Sequence, residues 1–320
     1  MKGSVNKNYT PPSSFLLPPF FLLLCFSLNA QTAIRYAIIP ENPRPGEPVT
    51  IGVGDSSGAR AAVLMSDGRR LARAAFFGIP VEGAKQAFLA AILAVPSTAM
   101  PGIATIIVEG TAGIVGEIPL NIAGREFASE TLELNPALTA IRTEPDPQKA
   151  AESEKLWAIL NRTGSEIHSF GNFSPPVQST RRTSRFGSRR VYQYSNGSSD
   201  VSIHAGVDYG VPKGTAVSAC APGRVVFAGY RIVTGSSIIV EHLPGVYSLY
   251  YHLDSIEAAE GDLVAAGTLL GQSGATGLAT GPHLHWEIRV FGENADPDAF
   301  IARPILDKDA ILGKIGNERN

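Results

Sequence analysis

Residues 283–290 alternate between two kinds of side chain, and this pattern constrains the fold more than any other. One set is apolar: Leu284, Trp286, Ile288 and Val290. The other set begins with His283 and His285. Side chains two residues apart share a face of a β-strand, and burying the apolar face fixes the register. The pattern therefore predicts a strand that aims two imidazoles into one volume. Imidazole binds metals and transfers protons near neutral pH, so the pair indicates part of a site.

The bulk composition is that of a globular protein. Of the 320 residues, 44% are hydrophobic and 18% are charged, and the length suits about two domains. The formal net charge of -2 provides no strong basic field, so no nucleic-acid partner is expected. Arginine pairs at 181–182 and 189–190 fit either a basic patch for an anionic polymer or a solvated linker, and the linker is the favoured interpretation.

The N-terminus has the three parts of a secretory signal peptide. Lys2 and Lys7 precede an apolar run over 15–28, and the small residue Ala30 marks a cleavage site before Gln31. The run is shorter than the roughly 20 residues of a membrane span. We therefore expect an exported protein of the periplasm, cell envelope or extracellular space, whose mature chain lacks a membrane span. An uncleaved N-terminal anchor is the first alternative, and a lipid-modified Cys25 is the second.

Cleavage after residue 30 leaves one thiol. The sequence has two cysteines, Cys25 and Cys220, and only Cys220 follows the signal segment. A single thiol forms no intrachain disulfide, so the core has to hold the exported protein together. Cys220 lies among small residues of a candidate strand, which favours a packed, inert thiol.

The fold class expected from the chain is mainly β, in two domains. Short strands separated by turn residues over 31–125 predict a β-sandwich of immunoglobulin-like type. Residues 126–184 are interpreted as a linker with a short helix near 149–160. Residues 185–302, rich in strands and turn glycines, form the second domain, and 303–320 form a C-terminal tail.

The second domain collects histidines in contexts that converge. His204 and Asp208 are four residues apart and share a face in extended structure. His252 is expected on the face opposite its apolar neighbours Tyr251 and Leu253. Together with His283 and His285, these residues can supply two histidines and one aspartate for Zn²⁺, with a position left open for water. The two remaining histidines are then available for proton transfer.

At these residues the chain resembles the M23 zinc metallopeptidases of the lysostaphin and LytM type. The similarity covers roughly 110 residues of the second domain, and it follows an ordered series of short motifs. They are Ser184 to Arg190, His204 to Tyr209, Gly214 to Val217, Ala221 to Val226, Tyr251 to Leu253, Gly261 to Val264, Gly271 to Gly274 and Thr276 to Glu287.

The resemblance implies an antiparallel β-sheet catalytic domain with a groove, and peptidoglycan stem peptides or cross-links as the substrate. It implies one zinc ion held by His204, Asp208 and His285. His252 and His283 are then the catalytic histidines. Glu287 and Arg289 share the strand face of the histidine pair, where an imidazole-orienting role and a structural ion pair both stay open.

Two functions from different classes follow. The first is a zinc endopeptidase that hydrolyses peptidoglycan peptides for cell-wall remodelling. The second is a non-enzymatic peptidoglycan-binding activator of another wall hydrolase, which requires an incomplete ligand set or a blocked groove. All five positions of the resemblance are intact in this chain, which favours the enzyme.

Overall fold

The structure is a computed structural model that describes residues 34–54, 57–81, 88–162 and 164–316. The expected signal peptide, residues 1–30, lies outside these ranges. Within them, no helix is both long enough and apolar enough to cross a membrane. Among the described residues, β-strands are far more abundant than helices, as the sequence predicts.

Two four-stranded antiparallel sheets form the N-terminal part. The first sheet has the order β1-β2-β6-β5, with β1 at Tyr36–Ile39, β2 at Pro48–Gly54, β5 at Phe77–Ile79 and β6 at Phe88–Ala94. The second has the order β4-β3-β7-β8, with β3 at Ala59–Ser66, β4 at Arg69–Ala75, β7 at Gly102–Gly110 and β8 at Gly113–Ile122. Alternating residues of both sheets meet in one apolar core that includes Ile51, Leu64 and Ile106. This arrangement is the sandwich that the short strands predicted.

The segment that follows the sandwich holds a strand and two helices. Strand β9 spans Ser129–Glu133, α1 spans Pro136–Thr143 and α2 spans Pro147–Leu160. Both helices begin with proline at their first turn, after a cap residue, Asn135 or Asp146, whose side chain accepts a backbone N–H. Strand β9 forms a three-stranded sheet, in the order β12-β11-β9, with β11 at Arg189–Gln193 and β12 at Ser199–Ile203.

A ten-stranded sheet forms the rest of the β structure. Its main path is β10-β13-β20-β17-β16-β15-β18. These strands are β10 (Arg182–Ser184), β13 (Gly206–Tyr209), β15 (Gly223–Arg231), β16 (Gly235–Leu243), β17 (Val246–Ile256), β18 (Leu263–Val264) and β20 (Leu284–Val290). Off this path, β14 (Ala216–Ser218) pairs with β19 (Leu269–Ser273), β19 also pairs with β17, and β21 (Glu293–Ala295) pairs with β20. All pairings in this sheet are antiparallel.

The C-terminal segment packs against the sandwich. Helix α3 spans Pro297–Ala302 and α4 spans Lys308–Gly316. Ile311 of α4 lies so close to Gly52 that a Cβ atom at Gly52 would come within 2.3 Å of its side chain. Thr50 donates a hydrogen bond of 2.5 Å to the carbonyl oxygen of Ile305. The tail is thus joined to the first sheet by close packing and by a buried hydrogen bond.

Candidate metal centre and its cleft

The pairing of β13 with β20 places two candidate ligands side by side. Asp208 lies opposite His285 in the antiparallel register, and their facing atoms, Oδ1 and Nδ1, are 2.7 Å apart. On the other face of β20, Leu284, Trp286 and Ile288 are fully buried. The alternation in the sequence is therefore realised as expected, with the apolar face in the core and the histidines on the opposite face.

His204 reaches the same point from the connection between β12 and β13. Its backbone N–H donates to the carbonyl of Ser188, and its carbonyl accepts from Gly187. Its Nε2 atom lies 3.1 Å from Asp208 Oδ1 and 3.0 Å from His285 Nδ1. The chain does not run as one continuous strand from His204 to Asp208, but both side chains still face the same point.

In each imidazole, one ring nitrogen points away from the cluster, and the hydrogen-bond partner of that nitrogen determines which nitrogen carries hydrogen. His204 Nδ1 is 2.9 Å from the carbonyl oxygen of Arg185, which can only accept a hydrogen bond. His285 Nε2 is 2.9 Å from Glu287 Oε1, and Arg289 donates to the other oxygen of that carboxylate at 2.8 Å. The facing atoms, His204 Nε2 and His285 Nδ1, are therefore bare acceptors in the neutral rings. Glu287 orients an imidazole, and Arg289 pairs with Glu287.

When both rings are neutral, three acceptor atoms thus converge with no donor hydrogen between them, which is an arrangement that suits a cation. Their separations of 2.7, 3.0 and 3.1 Å are close to the ~3.3 Å between neighbouring ligands of a tetrahedral zinc with bonds of about 2.0–2.1 Å. Although burial disfavours a charged His285, the adjacent Asp208 and Glu287 carboxylates prevail and raise the pKa of His285 to about 9. Without a cation, His285 therefore holds a second proton on Nδ1 near neutral pH, and a metal ion has to displace that proton. The same negative field attracts a metal ion. His204, Asp208 and His285 therefore fit a metal by position and by donor chemistry.

His252 enters the site through a distortion of β17. Between Tyr250 and Leu253 the strand gains one residue relative to β16, which makes a β-bulge. His252 has a left-handed φ of 62°, which is rare for a residue with a side chain. Tyr251 stacks on His285, with ring centroids 5.6 Å apart. The expectation that Tyr251 occupies the face opposite His252 is therefore wrong, because the bulge breaks the alternation and re-aims the histidine.

His283 lies just before β20 and forms an isolated bridge with Gly274. Its ring centroid is 4.8 Å from that of His252, and its Nε2 is 3.8 Å from Asp208 Oδ1. His283 Nδ1 donates to the carbonyl of Gly281 at 2.8 Å, and His252 Nδ1 donates to the carbonyl of Thr276 at 2.7 Å. Both rings therefore keep an unprotonated Nε2. Burial lowers the pKa of both histidines, in His252 to about 3.

A cleft of about 250 Å³ opens beside the cluster. His252, His283 and Asp208 contribute to its lining. The remaining lining residues come from three segments: Glu130, Leu132 and Leu134; Thr183, Ser184, Arg190 and Tyr192; and Leu278, Thr280, Gly281 and Pro282. Three of the five sequence-predicted site residues thus line the cleft, and the other two, His204 and His285, contact Asp208.

Sequence reasoning missed the side chains that surround Asp208 and His204. The interpretation of Arg190 as part of a solvated linker is wrong, because its side chain is only 13% exposed and binds both Asp208 and Glu130. Arg182 is likewise largely buried and pairs with Asp298 at 2.8 Å. Arg190 is the last residue of the first motif of the resemblance, Ser184 to Arg190, and this position is a sequence signal that it lies near the site. Glu130 carries no local signal, because only the long-range pairing of β9 with β11 brings it here.

Another buried histidine lies apart from the cluster. His242 Nδ1 donates to the carbonyl of Pro222 at 2.7 Å, and its Nε2 accepts from Ser248 at 2.7 Å. The thiol of Cys220 lies 3.7 Å from the same nitrogen and is fully buried. Burial raises the pKa of Cys220 to about 12, so the thiol is inert as the sequence predicts.

Comparison with protein families gives one match. The model of peptidase family M23 matches residues 202–297, which include all five site residues. Among curated proteins, the peptidoglycan DD-endopeptidase ShyA of Vibrio cholerae is 36% identical over 178 residues, covering 53% of this chain and 39% of ShyA. The chain spans between about a fifth and two-fifths of the length of the curated relatives that it matches.

Solved structures extend the comparison. A peptidase M23 from Pseudomonas aeruginosa has a TM-score of 0.57 and 24% identity, covering 81% of this chain and 94% of its own, which is a likeness of fold. The catalytic domain of the prophage-encoded M23 protein EnpA from Enterococcus faecalis is 30% identical over 39% of this chain and 95% of that domain, with a TM-score of 0.34.

Proposed function

The chain belongs to peptidase family M23, and on this premise we propose that it is a zinc-dependent endopeptidase of peptidoglycan stem peptides or cross-links. One observation carries the proposal. Three candidate ligand atoms converge beside a cleft, and two further histidines whose neutral rings have an unprotonated Nε2 lie next to them. A relative named as a peptidoglycan DD-endopeptidase supports the substrate class.

In this proposal, His204, Asp208 and His285 hold one zinc ion. Bound in such a set, zinc polarises a carbonyl and lowers the pKa of a coordinated water to about 7. Glu287 stabilises the tautomer of His285 that leaves Nδ1 free, and the carbonyl of Arg185 does the same for Nε2 of His204. These contacts thus fix which nitrogen of each neutral ring is free to bind the metal.

His252 and His283 are the proposed catalytic histidines. Each is fixed through Nδ1 to a backbone carbonyl, so its Nε2 is the atom available to reactants. One ring accepts the proton of the attacking water at Nε2 and returns it to the leaving amine. The other stabilises the oxygen on which negative charge develops, and it donates to that oxygen only in its imidazolium form, since its Nε2 carries no hydrogen in the neutral ring. The two roles need two imidazoles close together, and the 4.8 Å between the ring centroids meets that need.

The proposed substrate determines where the protein acts. Peptidoglycan lies outside the cytoplasmic membrane, so the enzyme has to be exported, in agreement with the signal peptide expected over 1–30. N-terminal sequencing of the protein recovered from the cell envelope tests this. A chain that begins at Gln31 supports cleavage, and one that keeps residues 1–30 supports the uncleaved anchor.

The activity is tested with the full mature chain loaded with one equivalent of zinc. Purified peptidoglycan and defined cross-linked muropeptides are digested, and new amino termini are identified by mass spectrometry. We expect cleavage that a chelator abolishes and that added zinc restores. If the zinc-loaded chain binds peptidoglycan but releases no new termini from any type of cross-link, the result supports the non-enzymatic activator and contradicts the endopeptidase. If the chain binds no zinc, the proposed zinc site is wrong.

A further inference from the structure

Glu130 is connected to the candidate metal ligands through Arg190 and Ser184, and it lies outside the part of the chain that matches the family. It lies on β9, 72 residues before the first matched residue (202 − 130 = 72). Strand β9 runs parallel to β11, with Glu130 opposite Arg190. Residues 130, 132 and 134 all line the cleft. The segment interpreted from sequence as a linker is therefore a wall of the site.

One oxygen of Glu130 is connected to Asp208 through Arg190. Arg190 Nε donates to Glu130 Oε1 at 2.6 Å, and Arg190 Nη2 donates to Asp208 Oδ2. The hydrogen bond from Arg190 Nη2 occupies Oδ2 of Asp208, the oxygen that does not bond to the histidines. Oδ1 is left to face His204 and His285. Because the guanidinium is planar and rigid, anchoring its Nε also orients its Nη2.

The same oxygen is connected to His204 through Ser184. The hydroxyl of Ser184 donates to Glu130 Oε1 at 2.6 Å. The Ser184 oxygen also lies 3.0 Å from His204 Nδ1, the ring nitrogen that carries hydrogen. Ser184 therefore accepts from His204 while it donates to Glu130. One carboxylate thus supports two of the three candidate ligands by two separate paths.

We propose that Glu130 is a positioning residue for the metal centre, fixing Asp208 through Arg190 and His204 through Ser184. The inference rests on the proposed zinc site and adds a residue from the upstream segment to it. Partners of this kind typically affect metal affinity 10–100-fold when they are removed.

Electrostatics predicts the sign of the effect. Neutralising Glu130 removes one negative charge near the cation. It also leaves Asp208 as the remaining carboxylate partner of Arg190, so the guanidinium withdraws more charge from that ligand. Both changes weaken metal binding, and neither depends on contact between Glu130 and the metal.

The test is Glu130→Gln, which keeps size and shape, with Glu133→Gln as the control. Glu133 is exposed on the same strand. Zinc dissociation constants are measured by competition with a chromogenic chelator. We expect Glu130→Gln to weaken zinc binding about 10-fold or more and to shift the visible absorption of the Co²⁺-substituted protein. Glu133→Gln should match the unsubstituted protein in both. A change of less than about twofold in Glu130→Gln overturns the inference.

The path through Arg190 is tested by combining substitutions. If Glu130 acts mainly through Arg190, Glu130→Gln causes a smaller loss of zinc affinity in an Arg190→Gln background than alone. Equal losses in both backgrounds contradict that path. Zinc binding by the unsubstituted protein is the separate check on the proposed function. A protein that binds zinc tightly with or without Glu130 refutes only the positioning role, whereas one that binds no zinc refutes the site itself.

Discussion

The sandwich and the ten-stranded sheet are both antiparallel, yet they bury different kinds of side chain. Among the described residues of the sandwich strands, the one buried polar side chain is Thr50, and it bonds to the C-terminal segment. The ten-stranded sheet buries carboxylates, histidines and serines, including Asp208, His252, His285 and Glu287. Burying apolar area stabilises a fold directly, whereas a buried polar group costs free energy unless it is paired.

The contrast shows which part has a chemical task. A sheet that needs only stability can use Val, Ile, Leu and Ala, as the sandwich core does. The larger sheet keeps such costly groups: among its described residues, five buried polar atoms have no hydrogen-bond partner, whereas the carboxylates and histidines of the cluster are joined by hydrogen bonds. We therefore expect substitutions in the sandwich to change stability, and substitutions in the cluster to change metal binding and catalysis.

The largest effect is expected for His204→Ala. This change removes one of the three proposed ligand atoms and the ring held by Arg185 and Ser184. Bound zinc and peptidase activity should fall to background together, as measured by elemental analysis and muropeptide digestion. His168→Ala, at a histidine outside the cluster, is the control and should keep both. Full zinc content in His204→Ala would contradict the proposal that the cluster binds the metal.

The next effect concerns the division of tasks between the histidines. His283→Ala removes a proposed proton-transferring or oxyanion-binding group but none of the three ligands. Activity should fall by roughly 10²–10⁴-fold while zinc stays near one equivalent. His285→Ala is the matched variant two residues along the same strand, and it should lose both. If His283→Ala empties the site and His285→Ala does not, the roles within the pair are reversed.

In the sandwich, Ile106→Ala should lower the free energy of unfolding by about 2–5 kcal/mol, since Ile106 is fully buried between the sheets. Zinc affinity and turnover per folded molecule should be unchanged. Ile103→Ala is the control on the same strand, because Ile103 is 74% exposed, and its effect should stay within about 0.5 kcal/mol. Denaturant unfolding measures both. A loss of zinc affinity in Ile106→Ala would mean that the two regions are not independent.

Some features of the site could be predicted from local sequence pattern and from similarity. Alternation over 284–290 predicts both faces of β20 because a strand repeats every two residues, and burial of Trp286 fixes the register. The five site residues follow from the resemblance, whose motifs carry them. Local pattern and similarity suffice when the side chain and its support lie in the same segment.

Other features depend on contacts between distant segments or on an irregular backbone. The bulge at His252 inserts one residue into β17, and its positive φ reverses the face that alternation predicts. Glu130 reaches the site only because β9 pairs with β11, some 60 residues away along the chain. The polar stretch around Arg190 resembles a solvated linker until its carboxylate partners are known. No local composition encodes such pairings.

The smallest effect is at His242, a buried polar group of the larger sheet that takes no part in the proposed chemistry. Burial lowers the pKa of His242 to about 4, below the ~6.5 of an unfolded chain. Below pH 6.5 the unfolded state therefore binds a proton that the folded state does not. The free energy of unfolding should fall between pH 6.5 and 4 by up to about 3 kcal/mol from this group, with no contribution above pH 6.5.

Denaturant unfolding of the unsubstituted protein and of His242→Gln, at several pH values from 7.5 to 4, isolates this contribution. Glutamine keeps polar atoms near Pro222 and Ser248 but binds no proton. Carboxylates and the clustered histidines titrate equally in both proteins, so the difference between the two pH profiles belongs to His242. The variant should lose less stability on acidification, although it starts from a lower value. Parallel profiles would mean that His242 is protonated in the folded protein, and that this sheet buries charge outside the metal cluster as well as within it.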